Sequence, residues 1–566
     1  MGLVVGTTRR NKQVMLTEDD RECHIHIVGA SGRGKSKLLE SMIRQDILAG
    51  RGLCLIDPHG TLADPIVTWC ASRGLQNFRK VHVVKPADLE WSAAFNPLRL
   101  DGVTEPSVRV DTMVAACAQV WGGENLSQTP LLKKCLRAVF YALAVRELTL
   151  VEALELTRSN DPDAVRRRLT ENLPDYLFDG LWQEFNASSR SQFQEDFRST
   201  TNRLSEFLSS PIVRRIVGQR EHALDLKQIM DCGEILIVNF AASGALSHDN
   251  TRLLGTLLTS ELFLLALSRT PAMAKRRPFS LYIDECYKFL TSDIEDMLDQ
   301  TRKFGLHVVL SHQRLSQLGK PGDRIYNGVM AGGQTKIVFG GLEDGDAEVM
   351  ARQVMRETFD LERPKHSLDR PVVVDEVPFW LESESSTDGR SSSWSSSESS
   401  SSGSSAGSSE GALEREDGQI VSLSGGLSSG NTEGSSRSTG VSGGTSHTDT
   451  RGRSQTLKPE RVLMTSAVHS LEEETHRAIL KLRKLPKRAA VVKRPTRVAV
   501  QIQTPVINPI LASSEGVASF LETTRTASPY LARTAIADEE IAKRQAGLRG
   551  AMPKNSRGEE PFWQEE

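Results

Sequence analysis

The residues Gly29-Ala30-Ser31-Gly32-Arg33-Gly34-Lys35-Ser36 form a complete phosphate-binding loop. The loop follows the apolar run Ile25-His26-Ile27-Val28 and precedes the amphipathic stretch from Lys35 to Ala49. A strand, a Gly-rich turn and a helix in that order are the context in which such a pattern makes a site. Glycines let backbone N–H groups turn inward around phosphate oxygens without side-chain clashes. The helix starting near Lys35 adds its positive N-terminal end to the same place. Lys35 is suited to the β- and γ-phosphates, and the Ser36 hydroxyl to the Mg2+ that bridges them. The loop therefore implies ATP and Mg2+ as cofactors.

A second set of residues supplies what hydrolysis would need. Ser280-Leu281-Tyr282-Ile283 is an apolar strand that runs into Asp284 and Glu285. Asp284 is placed to hold the metal's water shell, and Glu285 to orient and deprotonate an attacking water. Downstream, Ser292-Asp293-Ile294-Glu295 reads as a capping box and Gly305 as a helix stop. Arg302 then falls in the last helical turn, where a cation suits the dipole. Alternatively, Arg302 is an arginine finger reaching a neighbouring subunit's site. Gln313, at the tip of the run Leu306–Ser311, is either a strand cap or a sensor of the γ-phosphate. Asp57-Pro58-His59-Gly60 closes another apolar run. Asp57 and His59 fit the surroundings of the metal, a contact with a neighbouring subunit, or a simple turn.

The elements that must position these residues are legible as apolar periodicity. Runs at 25–28, 53–56 and 81–84, separated by helical stretches, predict a doubly wound, mainly parallel sheet. The fold class expected is an α/β RecA-like P-loop NTPase with a helical insertion. The first part of the ATPase core spans 1–104. An all-helical insertion covers 105–232, with helix-spaced residues such as Leu132, Leu136, Phe140 and Leu143. The core resumes over 233–382. Residues 383–456 are dominated by Ser and Gly, a composition that cannot bury enough apolar surface to offset its ordering entropy, so disorder is expected. Residues 457–515 are expected to pack back on the core and 516–566 to form a flexible tail.

Composition narrows the class further. The 566 residues carry a formal charge of −2, so no global basic field marks nucleic-acid binding. The seven cysteines form no CxxC pair and read as small buried apolar groups in a reducing compartment. No apolar h-region opens the chain, and the most apolar stretch, 253–267, is too short to span a bilayer. The strongest basic run is Lys481, Arg483, Lys484, Lys487, Arg488, Lys493 and Arg494. It is either a DNA-phosphate contact or a solvated face.

Taken together, GASGRGKS, LIDPHG, LYIDE and TRKFGLHVVLSHQ resemble the FtsK–HerA class of P-loop motors, most closely the TraG/TraD-type coupling proteins of conjugation and type IV secretion. The helical insertion between the second and third blocks is similar to the all-α domain of coupling proteins. The resemblance covers most of residues 20–345. It implies a homo-oligomeric ring, usually a hexamer, with ATP sites between subunits and DNA in the central pore. It assigns nucleotide and metal to Lys35 and Ser36, hydrolysis to Asp284 and Glu285, an in-trans contact to Arg302 and state sensing to Gln313. A relaxase or secretion channel is the implied partner. Coupling proteins of the membrane carry transmembrane helices that this sequence does not show, so a cytoplasmic protein docked on a membrane partner, or a soluble relative, is expected. Two other functions stay open: a HerA-like motor working with a nuclease, and a nucleotide-gated adaptor that recruits substrate without pumping.

Overall fold

In the computed structural model, residues 2–121, 130–161, 164–241, 245–269, 276–359, 364–385, 399–414, 420–436, 448–508 and 512–550 are described, those of 364–468 as backbone alone. The chain divides into two compact units, 1–359 with 472–566, and 360–471.

The first unit begins with β1 (Leu3–Thr7), β2 (Gln13–Leu16), α1 (Glu18–Glu22), β3 (Ile25–Val28), α2 (Lys35–Leu48), β4 (Gly52–Asp57), α3 (Ala63–Ser72), β5 (Val81–Val84) and β6 (Trp91–Ala93). Among the described residues, eight α-helices follow: α4 (Pro106–Trp121), α5 (Pro130–Val145), α6 (Ala153–Thr157), α7 (Val165–Thr170), α8 (Tyr176–Ala187), α9 (Arg190–Ser209), α10 (Pro211–Gly218) and α11 (Leu226–Cys232). The sheet then resumes with β7 (Ile235–Asn239), α12 (His248–Leu267), β8 (Phe279–Ile283), α13 (Ile294–Thr301), β9 (Leu306–His312), α14 (Arg324–Gly332), β10 (Thr335–Phe339) and α15 (Asp344–Val354).

The second unit holds β11 (Pro364–Ser385), β12 (Ser399–Glu414), β13 (Ile420–Ser436) and β14 (Thr448–Val468). β11 pairs antiparallel with β14, and β12 with β13. The Ser/Gly-rich stretch 383–456, expected to lack fixed structure, lies partly outside the described residues. Its described parts are extended backbone paired within this unit. Backbone ladders need no apolar side chains, and none of these strands joins the large sheet.

After α16 (Leu471–Arg483), the chain adds β15 (Ala489–Arg494), β16 (Arg497–Gln503), α17 (Ser514–Ala527), β17 (Leu531–Arg533) and α18 (Thr534–Leu548). The large sheet has the order β2-β1-β16-β15-β10-β3-β9-β8-β4-β7-β5. From β10 to β5 all neighbours are parallel, and β15, β16, β1 and β2 extend it antiparallel. The seven parallel strands are buried throughout, as continuous apolar runs require when helices cover both faces. Alternation along β4 shows the two layers. Leu53 and Leu55 join the core under α2 and α3, while Cys54 and Ile56 face the core built by α4, α5 and α12.

Two expectations need correction. The tail expected from 516 onward is folded through Leu548. Phe520 of α17 is buried in the core that holds α3, and β17 pairs with β6. Second, Ser292–Glu295 is not a capping box: α13 starts at Ile294 without a side-chain cap, and the Ser292 hydroxyl instead meets Asp293. Within the expected first part of the core, the opening of the chain forms two strands. Val14 and Leu16 point inward while Gln13 and Met15 point out, a four-residue alternation on the sheet's edge. Among the described residues no helix is long and apolar enough to cross a membrane.

Candidate nucleotide site

Parallel strands present their carboxyl ends on one edge, and here that edge gathers the residues picked out by type. The order places β9 between β3 and β8, so the loop after β3 and the acids after β8 flank the tip of β9. Ser31, Gly32, Gly34, Lys35, Ser36, Asp284, Glu285 and Gln313 line one cavity of about 410 Å³, together with His59 and His312.

The loop has the backbone that a phosphate cradle needs. Gly29, Gly32 and Gly34 have φ of 157°, 73° and 116°. A Cβ on Gly29 would lie 2.4 Å from the Phe339 Cβ, so the close approach of β3 and β10 also demands glycine there. Lys35 is buried, and its ammonium donates to the carbonyls of Gly29 (2.6 Å) and Ala30 (3.2 Å). Burial pushes its pKa down, while Asp284 and Glu285 pull it up. The Ser36 hydroxyl and the Asp284 carboxylate are hard oxygen donors, the kind Mg2+ takes. Asp284 is driven upward by burial and by the nearby Asp57.

Glu285 is the most constrained member. It sits at φ 46°, ψ 51°, a left-handed conformation costing a non-glycine residue about 1–3 kcal/mol. Its Oε2 lies 3.0 Å from both His59 Nε2 and Lys288 Nζ, and Gln313 donates to its Oε1 at 2.6 Å. Burial works to raise this carboxyl, but the hydrogen bonds and charges of His59 and Lys288 hold it down to about 2.

The open question over Asp57 and His59 has a divided answer. Asp57 accepts from the backbone N–H groups of His59 (2.9 Å), Leu62 (2.7 Å) and Ala63 (2.8 Å), and so fixes the turn into α3. His59 instead reaches Glu285. His312 at the cavity wall donates through Nδ1 to the Arg314 carbonyl (2.9 Å), which leaves its Nε2 to accept from His26 Nε2 at 2.6 Å. Burial holds both imidazoles neutral, His312 down to about 4.

Arg302 is not in this cavity. It is exposed ahead of β9, near His24 at the amino ends of the strands. β9 then rises seven residues, about 20 Å, to reach the cavity. Arg302 cannot touch the site of its own chain; it closes the C-terminus of α13, which agrees with the helix-end reading, and an in-trans contact would need a neighbouring copy.

The basic run is dispersed. Arg483 pairs with Asp344 and Lys493 with Glu357, Arg494 donates to the Met15 carbonyl, and Arg488 to that of Thr504. Lys487 joins the nucleotide cavity. This residue was invisible as a site residue in the sequence, because only the pairing of β15 with β10 brings it there.

No family model and no curated protein matches the chain. Among solved structures, the plasmid coupling protein TrwB in complex with ADP and Mg2+ superposes with a TM-score of 0.50 at 14% identity, covering 91% of this chain and 96% of that one. The conjugative coupling protein TrwBdeltaN70 in its trigonal form with sulphate gives 0.50 at 15% identity, covering 90% and 94%. VirB4 of Thermoanaerobacter pseudethanolicus gives 0.43 at 15%, covering 63% and 88%. The chain shares the fold of these TrwB structures. It is a RecA-like P-loop architecture with an α-helical insertion, as the four sequence blocks imply.

Proposed function

We propose that this protein is an ATP-hydrolysing motor of the conjugation and type IV secretion kind, which moves DNA as a ring of six subunits in the manner of its structural class. The observation that carries the reading is the single cavity shared by the 29–36 loop and the 284–285 carboxylates, contributed by strands separated by some 250 residues of chain.

The chemistry follows from what each residue can do. Lys35 exchanges the carbonyls of Gly29 and Ala30 for the β- and γ-phosphates. Ser36 and Asp284 would hold Mg2+, whose charge would offset the crowding between Asp284 and Asp57. Mg2+ supplies charge neutralisation at the transferred phosphoryl group. Glu285 orients water. Clamped by His59, Lys288 and Gln313, it is a weak base, so efficient turnover requires that clamp to loosen. Gln313, bonded to Glu285 and facing the cavity, links the state of the phosphate to the end of β9. Arg302 completes the site of a neighbouring copy.

The test is ATP hydrolysis with and without DNA. DNA stimulates the parent several-fold, and Lys35→Ala loses nearly all turnover in both conditions. Equal rates with and without DNA would remove the translocase and leave an ATPase. Tight ATP binding with negligible turnover would favour the adaptor. Co-purification with a nuclease rather than a relaxase or channel component would favour the HerA-like motor.

A further inference from the structure

We infer that Lys487 contacts the phosphates of the bound nucleotide, so that the site is completed by the segment returning after the 360–471 unit. This rests on the nucleotide-binding reading above and extends it to a residue outside every recognisable motif.

Lys487 lines the cavity beside Ser31, Gly32 and Ser36. Its position is fixed by backbone bonds to the loop itself. The N–H of Arg488 donates to the Arg33 carbonyl at 2.9 Å, and that of Gly341 to the Arg483 carbonyl at 3.3 Å. Arg488 adopts a left-handed φ of 69°, and Thr504 locks it. The Thr504 N–H (2.8 Å) and hydroxyl (3.1 Å) donate to the Arg488 carbonyl, and the Arg488 guanidinium donates back to the Thr504 carbonyl at 2.8 Å. Close packing leaves this turn no room to shift, since a Cβ on Gly340 would meet the Leu485 carbonyl oxygen at 2.5 Å.

The charge pattern points to an anion. Arg483, Lys493, Arg494 and Arg488 are each committed to a partner, whereas Lys487, like Lys481 and Lys484, has no side-chain hydrogen bond or ion pair among the described residues, and of these three lysines it is Lys487 that lines the cavity. An exposed ammonium lining the same cavity as the buried Lys35 and the glycine cradle is placed to meet a polyanion that enters it. A triphosphate is the ligand of that charge and size the loop already selects. Occupancy then bridges the N-terminal loop and the C-terminal strands.

The experiment measures ATP affinity of the full chain by calorimetry for the parent, Lys487→Ala, Lys487→Arg and Lys35→Ala, at low and high salt. Lys487 is exposed, so all Lys487 variants should melt with the parent. Loss of one charge-assisted contact predicts about tenfold weaker binding for Lys487→Ala. Arg restores most of it, and the deficit shrinks as ionic strength rises. Parent-like ATP affinity in Lys487→Ala while Lys35→Ala is impaired would overturn the inference and spare the nucleotide reading. A deficit that neither Arg nor salt alters would also overturn it, as a packing effect. A parent that binds no ATP would instead refute the nucleotide reading itself.

Discussion

The opposite ends of α2 and β8 carry two polar clusters of contrasting character. At one end, Asp46 of α2 accepts two hydrogen bonds from the Arg21 guanidinium (2.7 and 2.6 Å), one from the Tyr282 hydroxyl (2.7 Å) and one from the Ser280 hydroxyl (3.0 Å). Arg21 and Asp46 are each only 1% exposed. At the other end, Lys35 of α2 and Asp284 after β8 open on a cavity. There Lys35 is satisfied only by its own loop, and Asp284 is crowded by Asp57. The same two elements thus bury one ion-paired network and open the other onto a cavity. A closed network fixes how α2 sits on the sheet, while an open one holds charges that only a cation-bound anion can settle.

The largest expected effect tests the closed end. Asp46→Ala strands a buried guanidinium and is expected to cost about 3–5 kcal/mol of stability, seen as a lowered denaturation midpoint. At the open end, Lys35→Ala and Asp284→Asn should each reduce hydrolysis on the order of 10²–10³-fold with little change in midpoint. A large loss of stability at the open end, or of turnover alone at the closed end, would erase the distinction between them. Tyr282→Phe sharpens it further. Removing one bond to a buried carboxylate is expected to cost about 1.5–3 kcal/mol by denaturant titration and to leave ATP affinity unchanged.

The smallest effect is in acid. Glu285 sits at about 2 against an ordinary 4.5, so its clamp stabilises the fold fully above about 4.5 and loses that contribution as pH falls toward 2. Glu285→Gln should therefore show a shallower decline in stability across that window. An unchanged acid limb would mean that His59 and Lys288 do not hold the carboxylate in solution.

Much of this was legible in the residues because their patterns are local. The β3–loop–α2 unit, β8 with its acids, and β9 each announce themselves by apolar runs ending in a turn. What escaped depends on distant partners. Val14 and Leu16 alternate over too few residues to stand out, and β17 reads as a strand only beside β6. The turn held by Asp57 is local, yet its division of labour with His59 becomes visible only when β8 lies next to β4. Lys487 shows the limit most plainly. Its neighbours in the chain suggest a nucleic-acid face, and its neighbours in space are a phosphate loop.

The pairing of β10 with β15 has a consequence for biosynthesis. A ribosome working at about 5–20 residues per second needs on the order of ten seconds or more to pass from one strand to the other. Throughout that interval the nascent chain holds a finished phosphate loop beside a strand whose outer backbone groups are unmatched. The newborn protein is therefore most exposed to wrong edge-to-edge partners while residues 360–488 are being made, and a trigger-type chaperone would have its greatest value there.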